Sequence, residues 1–307
     1  MAQQAPKIAR IGVLSVYRTD DDPQYLAFSQ KLRELGHVEG KTASIDYLAA
    51  EANYDRLPAL AAELVRRNAD VIMAIGGTPA ATAAARATKT IPIVFSFVAD
   101  PVGQKLVASL ARPGGNLTGI SNQNPEVAAK SLGLLKEVIP SAKRITVLMN
   151  PTQASANTMI LGDMQAAARS PGLEIEVANA RSADEFEGVF SELARKRPAG
   201  LVVISDPKFV SEASRIAALA ARHQLPMVSQ HSAFPEQGGL MSFGADRLGL
   251  IRRAAVLVDK ILKGAKPADI PVEQPTTFET IVNLTTAKRL GLRIPQSVLT
   301  RADRVIE

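Results

Sequence analysis

The sequence lacks several features that would point to a function at once. It has no cysteine and no tryptophan, and aromatic residues make up only 4% of its 307 residues. Without cysteine the chain has no disulfide bond, thiolate catalysis, cysteine zinc site or lipid-anchoring cysteine. No uninterrupted apolar run approaches the roughly 18 residues of a membrane-spanning helix. With 46% apolar and 21% charged residues, this is an ordinary globular composition with room for two cores.

Motifs for catalysis and for metal binding are also absent. The three histidines have no metal-ligand spacing, and the acidic run 19–22 lacks the spacing of a calcium loop and is predicted to cap the first helix. No Gly-x-Ser-x-Gly motif or P-loop lysine is present. The net charge of +6 permits anionic partners, but lysine and arginine are scattered along the chain. We therefore expect no metal, no cofactor and no nucleic-acid partner, and nothing in the sequence requires an enzyme.

Three short segments recur in the same order. "RIGVL" at 10–14 returns as "RITVL" at 144–148 (144 − 10 = 134), "ELVRR" at 63–67 as "ELARK" at 192–196 (192 − 63 = 129), and "IPIV" at 91–94 as "LPMV" at 225–228 (225 − 91 = 134). A period of about 130 residues is far longer than the 20 to 50 residues of a solenoid repeat. The sequence therefore predicts two domain-sized lobes of similar plan.

Strand-like and helix-like patterns alternate in both halves. The predicted strands are 11–15, 43–47, 71–75, 93–97, 145–149, 173–177, 201–204, 227–229 and, near the end, 278–284. Apolar residues at helical spacing predict a helix around 57–65 and a long one over 246–263. This alternation predicts the α/β class, with two Rossmann-like, doubly wound lobes built on parallel sheets.

Glycine- and proline-rich segments mark where the chain could pass between lobes. They lie at 111–121, 236–244 and 264–275, and they predict a three-segment hinge that lets the lobes close over a cleft. The predicted lobes are 7–119 with 242–267 and 120–241 with 268–307. Residues 1–6 are predicted to be a flexible leader without the apolar core of a signal peptide.

In open α/β sheets, ligands bind beyond the carboxyl ends of the strands. This rule selects the loops 15–22, 76–80 and 99–103 in the first half, and 149–155, 205–209 and 229–234 in the second. The predicted ligand-binding residues in and near them are Ser15, Tyr17, Gly76, Gly77, Thr78, Phe97, Asp100, Asn122, Asn150, Asp206, Phe209, Gln230 and Phe243. His231 is the one histidine in these loops.

Several of these residues have two interpretations. Gly77 and Thr78 could bind a ligand carboxylate at a helix start, or Thr78 and the proline after it could only cap that helix. Asp100 and Asp206 each precede a proline, which fits either a ligand ammonium or a turn; the turn is favoured for Asp100 and both remain open for Asp206. Asn150 is likewise a turn residue or an amide that binds the ligand.

Aromatic residues are concentrated in or near the same loops. They are Tyr17, Phe97, Phe209, Phe234 and Phe243. An apolar or aromatic ligand body stacked between rings is one interpretation. Packing beneath the hinge is the other, and it is favoured for Phe97.

Distinctive segments of the chain resemble a known family. "AIGGTPAA", "IPIVFSFVADPVG", "LVASLARPGGNLTGIS" and "VDKILKGAKPADIPVEQPTTFETIVNLTTAKRLGL" are similar to bacterial ABC-transporter substrate-binding proteins, the group with tryptophan- and tyrosine-type periplasmic components. The resemblance runs almost end to end. It implies a type I periplasmic-binding fold, export to the periplasm, a small-molecule ligand, and a permease with its ATPase subunits as partners. Contact with the membrane would occur through the permease only, and we expect a monomer.

The resemblance also bears on the site. It supports Ser15, Gly77, Thr78, Asn150 and Asp206 as cleft positions. It is less decisive for Tyr17 and Phe209, whose loops vary, and Phe243 stands where tyrosine is more often expected.

The resulting hypothesis is a solute receptor that closes on a small carboxylate, either an amino acid or an aromatic acid. Two alternatives stay open: an enzyme with Asp206 or His231 as acid or base, and the ligand-sensing domain of a regulator. The regulator would need a DNA-binding headpiece, for which the residues before the first strand leave no room.

Overall fold

The computed structural model describes residues 8–17, 22–122, 125–170 and 172–307. The predicted leader at 1–6 and residues 19–21 of the acidic run lie outside these ranges. The last residue of that run, Asp22, caps the first helix as predicted, because its side chain accepts a hydrogen bond from the backbone of Gln24.

The chain divides into two compact units, which we call unit 1 (Met1–Gln123 and Asp246–Pro275) and unit 2 (Asn124–Ala245 and Thr276–Glu307). The chain therefore passes from one unit to the other three times. The predicted lobe boundaries differ from these by up to eight residues.

Unit 1 contains one five-stranded parallel sheet in the order β2-β1-β3-β4-β5. Its strands are β1 (Ala9–Ser15), β2 (Ala43–Ala49), β3 (Val71–Ile75), β4 (Ile93–Val98) and β5 (Leu117–Ser121). Its helices are α1 (Pro23–Glu34), α2 (Leu57–Arg66), α3 (Thr78–Ala87) and α10 (Arg247–Leu262). Short 3-10 turns lie at Tyr54–Arg56 and Pro267–Asp269. One apolar cluster includes residues of α2 and α3, and another includes residues of α1 and α10. The doubly wound arrangement is confirmed.

Unit 2 contains a seven-stranded sheet in the order β12-β11-β10-β9-β8-β6-β7. Its strands are β6 (Arg144–Met149), β7 (Glu174–Asn179), β8 (Gly200–Val203), β9 (Met227–Ser229), β10 (Met241–Ala245), β11 (Phe278–Asn283) and β12 (Arg304–Ile306). Its helices are α4 (Pro125–Val138), α5 (Ala154–Arg169), α6 (Phe186–Lys196), α7 (Pro207–Ser211), α8 (Ala213–Arg222), α9 (Ala233–Glu236), α11 (Leu284–Arg289) and α12 (Gln296–Thr300). Short 3-10 turns lie at Pro151–Gln153 and Ala183–Glu185. Two further apolar clusters form its core.

One strand pair in unit 2 departs from the prediction of parallel sheets. β10 and β11 are antiparallel, with Ala245 opposite Phe278. The chain leaves unit 2 at the end of β10 and returns at Thr276, just before β11. Because β11 therefore begins beside the end of β10, it must run in the opposite direction.

Two of the predicted crossing segments contain strands. Leu117–Ser121 forms β5 at the edge of the first sheet, and Met241–Ala245 forms β10 inside the second. The glycines around these short apolar runs hid them from pattern analysis. The first eight predicted strands are confirmed as β1 to β4 and β6 to β9, with ends shifted by two residues at most. The ninth prediction, 278–284, is β11, but Leu284 starts α11 instead.

The long helix predicted over 246–263 is α10, with Asp246 as its cap rather than its first residue. Ile251, Ala255 and Val258 are buried as the spacing predicts, whereas Leu248 is exposed. Its first turn is thus less buried than the pattern indicated.

Candidate functional site

The GGTP segment follows β3 at the carboxyl edge of the first sheet. Gly76 has φ 113°, and a Cβ there would lie 2.6 Å from the side chain of Val16. Gly77 has φ 76°, and a Cβ there would lie 3.1 Å from the carbonyl oxygen of Phe97. Both positions therefore require glycine for backbone conformation and for space. This structural requirement holds whether or not a ligand binds.

Helix α3 begins differently from the prediction. Gly77, not Thr78, is the N-cap, and its carbonyl accepts the first helical hydrogen bond from Ala81; Thr78 is the first helical residue. A cap without a side chain leaves the amides of the first turn to be satisfied by other groups. Among the described residues, the amide hydrogens of Thr78 and Ala80 have no hydrogen-bond acceptor. This helix start can bind an anion through its amides and its dipole.

Ser15 lies at the carboxyl end of β1 and has no exposed surface. Its Oγ accepts a hydrogen bond from the backbone of Tyr17 at 3.1 Å, and it also hydrogen-bonds Tyr47. Burial raises the pKa of the Tyr47 phenol, and the charge of Asp22 adds to that effect. Tyr47 is therefore a neutral hydrogen-bonding group at this edge.

Phe97 lies near the end of β4 with φ 58°, where the pairing of β4 with β5 is irregular. A left-handed conformation is strained for a bulky residue. Phe97 is 4% exposed, and the guanidinium carbon of Arg247 lies 3.6 Å from the centre of its ring. The ring is packed against a cation, and packing beneath the hinge stays a prediction. Nearby, the backbone of Asn122 donates to Val98, while its buried Oδ1 has no partner among the described residues.

Asp100 forms a tight turn. Its Oδ1 accepts a hydrogen bond from the backbone of Gly103 at 2.8 Å, and its carbonyl accepts one from Gln104. The turn interpretation of this Asp-Pro pair is confirmed.

In unit 2, Asn150 and Asp206 lie together at the carboxyl ends of β6 and β8. They are 2% and 5% exposed, and Asn150 Nδ2 donates to Asp206 Oδ2 at 3.2 Å. Each also caps a helical turn: Asn150 Oδ1 accepts from the backbone of Thr152, and Asp206 Oδ1 from that of Lys208. These caps fix both side chains at the sheet edge, so the turn interpretation holds for both without excluding a ligand.

The aromatic predictions in unit 2 divide. Phe209 has no exposed surface and packs edge-on against Phe186, with ring centres 5.8 Å apart. This is a correction, because a ring inside the core cannot stack on a ligand. Phe243 stacks on Phe278 at 5.6 Å, and Lys130 Nζ lies 5.1 Å from the Phe243 ring centre.

Gln230 and His231 follow β9. The backbone of Gln230 donates to Val203, the last residue of β8. Ala233 donates its backbone hydrogen to Nδ1 of His231 at 3.1 Å, so that nitrogen is unprotonated. His231 thus helps to shape the loop before α9.

Arg247 is the residue that sequence analysis missed. It is the first residue of α10, after the chain re-enters unit 1, and it contacts Gln24 and Phe97. The only sequence signal was a cation directly after a predicted crossing.

No group of three or more potential metal ligands occurs within the described ranges, and no helix there is long and apolar enough to span a membrane.

Polar groups at the carboxyl edges of two doubly wound sheets are typical of a two-lobed protein that binds small molecules. Over residues 17–306 the chain matches the sequence profile of the ABC transporter substrate binding protein family. The chain belongs to this family, whose members bind a substrate rather than convert it.

Individual relatives support this assignment. The tyrosine-binding protein of Clostridioides difficile is 30% identical over 266 residues, which cover 87% of this chain and 76% of the relative. A Streptococcus pneumoniae ABC domain solved in complex with L-Trp is 30% identical with a TM-score of 0.90, over 98% of this chain and 100% of the other. A conserved domain protein from Vibrio cholerae is 31% identical with a TM-score of 0.89, over 97% and 100% of the two chains.

Proposed function

We propose that this protein is the solute receptor of an ABC importer and that it captures an amino acid, or a related aromatic acid, through its carboxylate. The start of α3 is the observation that carries this proposal. The amides of Thr78 and Ala80 lack acceptors in the described part of the chain, and they lie beyond the carboxyl end of β3. A carboxylate supplies the missing acceptors and the negative charge that a helix start favours.

A second group of the ligand is assigned to unit 2. Asp206 is a buried carboxylate that Asn150 and a helix cap hold in one orientation. We assign the ligand ammonium to Asp206 and the ligand amide or hydroxyl contacts to Asn150. Such an ion pair has a high desolvation cost, so its geometry must be well fixed before the ligand arrives.

Lobe closure completes the proposed mechanism. A ligand with its carboxylate on unit 1 and its ammonium on unit 2 contacts both groups only when the units close over it. Binding would then shift the population toward the closed state. Delivery to a permease and its ATPase, and residence in the periplasm, follow from the proposed role as an importer receptor. The relatives that bind tyrosine and tryptophan make these two amino acids the first ligands to test.

The substitution Asp206→Asn tests the ammonium assignment. Asparagine keeps an oxygen for the cap of α7 but removes the charge. We expect the affinity for L-tryptophan to fall at least about tenfold in the variant. Indole-3-propionate lacks the ammonium and should bind wild type and variant with equal affinity. Isothermal titration calorimetry measures both.

The matched control is Asp184→Asn, at an exposed turn of unit 2, which should change neither affinity. Equal losses for both ligands in Asp206→Asn would show that the substitution acts through the fold. No loss for either would contradict the role of Asp206.

A further inference from the structure

Arg247 occupies an unusual environment in unit 1. Asp246 caps α10 by accepting a hydrogen bond from Gly249, so the next side chain is fixed at the helix start. The guanidinium packs over Phe97, 3.6 Å from the ring centre, and its Nη2 donates to Gln24 Oε1 at 3.4 Å. A guanidinium packed this closely over a ring has little freedom to move, so its remaining donors point in fixed directions.

One of those donors is unsatisfied. The Nε of Arg247 is buried, and no described residue accepts its hydrogen. A buried donor without an acceptor costs stability, and more so when it is charged. The described residues of the protein do not supply this acceptor, so another group must do so.

The surroundings of Arg247 act on its charge in two opposing ways. Burial lowers the pKa of its guanidinium, and the hydroxyl of Tyr17 and the carboxylate of Asp22 oppose that effect. An arginine remains protonated at neutral pH even after such a shift. An anionic acceptor would make the strongest hydrogen bond to this Nε–H.

Phe97 connects this cation with the start of α3. Its ring lies under Arg247, and its carbonyl oxygen lies against Gly77. Phe97 makes both contacts with its backbone in the left-handed region. Phe97 thus contacts both the cation of Arg247 and Gly77, the residue at which α3 begins.

We propose that Arg247 is a specificity-determining residue whose Nε–H donates a charge-assisted hydrogen bond to the ligand's carboxylate, together with the amides at the start of α3. This inference rests on the proposed function and deepens it. A cation at this position selects ligands with a carboxylate over the corresponding amides, because a neutral group cannot replace the charge interaction.

The test compares two ligands that differ only in this group, L-tryptophan and L-tryptophanamide. We expect the wild-type protein to bind L-tryptophan about 10- to 100-fold more tightly than the amide. Arg247→Gln should reduce that ratio to about three or less by weakening L-tryptophan alone. Arg247→Lys, which keeps a charge but lacks the Nε–H, should give an intermediate ratio. Affinities are measured by calorimetry, or by competition where binding is weak.

The matched control is Arg252→Gln, an exposed arginine on the same helix, which should leave the ratio at its wild-type value. Circular dichroism and the melting temperature of each variant confirm folding. An unchanged ratio in both Arg247 variants, or equal weakening of the two ligands, would overturn the inference while leaving the proposed function intact. Failure of wild type to bind either ligand would overturn the tryptophan-like substrate class, and with it this inference.

Discussion

The buried carboxylate of Asp259 joins distant parts of unit 1. His37 Nε2 lies 2.8 Å from Asp259 Oδ1, and Lys263 donates to Asp259 Oδ2 at 2.9 Å. Burial alone would raise the pKa of Asp259, but the hydrogen bonds from Lys263 and His37 outweigh it, so the pKa lies below its ordinary value. Asp259 thereby ties α10 to the loop after α1.

Asp259→Asn should lower the free energy of unfolding at pH 7 by about 1–3 kcal/mol, because it weakens hydrogen bonds to a buried charge. The folded-state pKa is depressed, so this stabilisation is present above the unfolded value of about 3.9 and is lost as pH falls through the folded value. Urea unfolding at pH 7 and below pH 4 measures the change. If the difference in free energy of unfolding between variant and wild type stayed constant down to the lowest pH, the charge interpretation would be contradicted. The exposed control Asp55→Asn should leave the free energy of unfolding unchanged.

The positions of the polar side chains at the sheet edges were only partly predictable from the sequence. Asp206 and Asn150 could be found because each precedes a proline at a strand end. Arg247 could not, because its contact with Phe97 joins positions 150 apart in the chain. The loop of Phe209 lies at the carboxyl edge of the sheet and so predicts a ligand contact, but a loop position does not show which way a ring points.

At the scale of elements, the start of α3 is the feature with the clearest backbone signature. Gly77 adopts φ 76° and ψ −151°, a conformation that residues with a side chain rarely adopt. This turn directs α3 so that its first amides lie at the edge of the sheet. Strand and helix positions were predictable from apolar periodicity, whereas β5 and β10 depend on tertiary pairing and their glycines concealed them.

Gly77→Ala should destabilise the protein by about 1–3 kcal/mol, because of backbone strain and the close carbonyl of Phe97. Gly162→Ala is the matched control. Gly162 lies on the exposed face of α5 with open space around it, so alanine there should stabilise by roughly 0.5–1 kcal/mol. Chemical denaturation of both variants measures the two signs. Equal effects would contradict the assigned conformation of Gly77.

At the scale of the whole molecule, the sequence repeat has a structural counterpart. Arg10 on β1 donates to the carbonyl oxygen of Arg67, and Arg144 on β6 donates to that of Lys196. In each unit, the arginine that opens the first repeated segment thus hydrogen-bonds the last residue of the second repeated segment of the same unit. The duplication predicted two similar lobes, but it could not predict the extra strands β11 and β12, which have no counterpart among the described residues of unit 1.

The central claim is that this protein binds a small carboxylate, and thermal unfolding against a ligand panel tests it most directly. The panel contains amino acids including L-tryptophan and L-tyrosine, aromatic acids, the matching amides and amines, and sugars. A ligand at one hundred times its dissociation constant adds about 2.7 kcal/mol to the free energy of unfolding. The account predicts a clear rise in melting temperature with one class of carboxylates and a distinctly smaller rise with their amides at the same concentration. A rise with sugars or amines alone, or none at all for protein shown by mass spectrometry to carry no ligand, would contradict it.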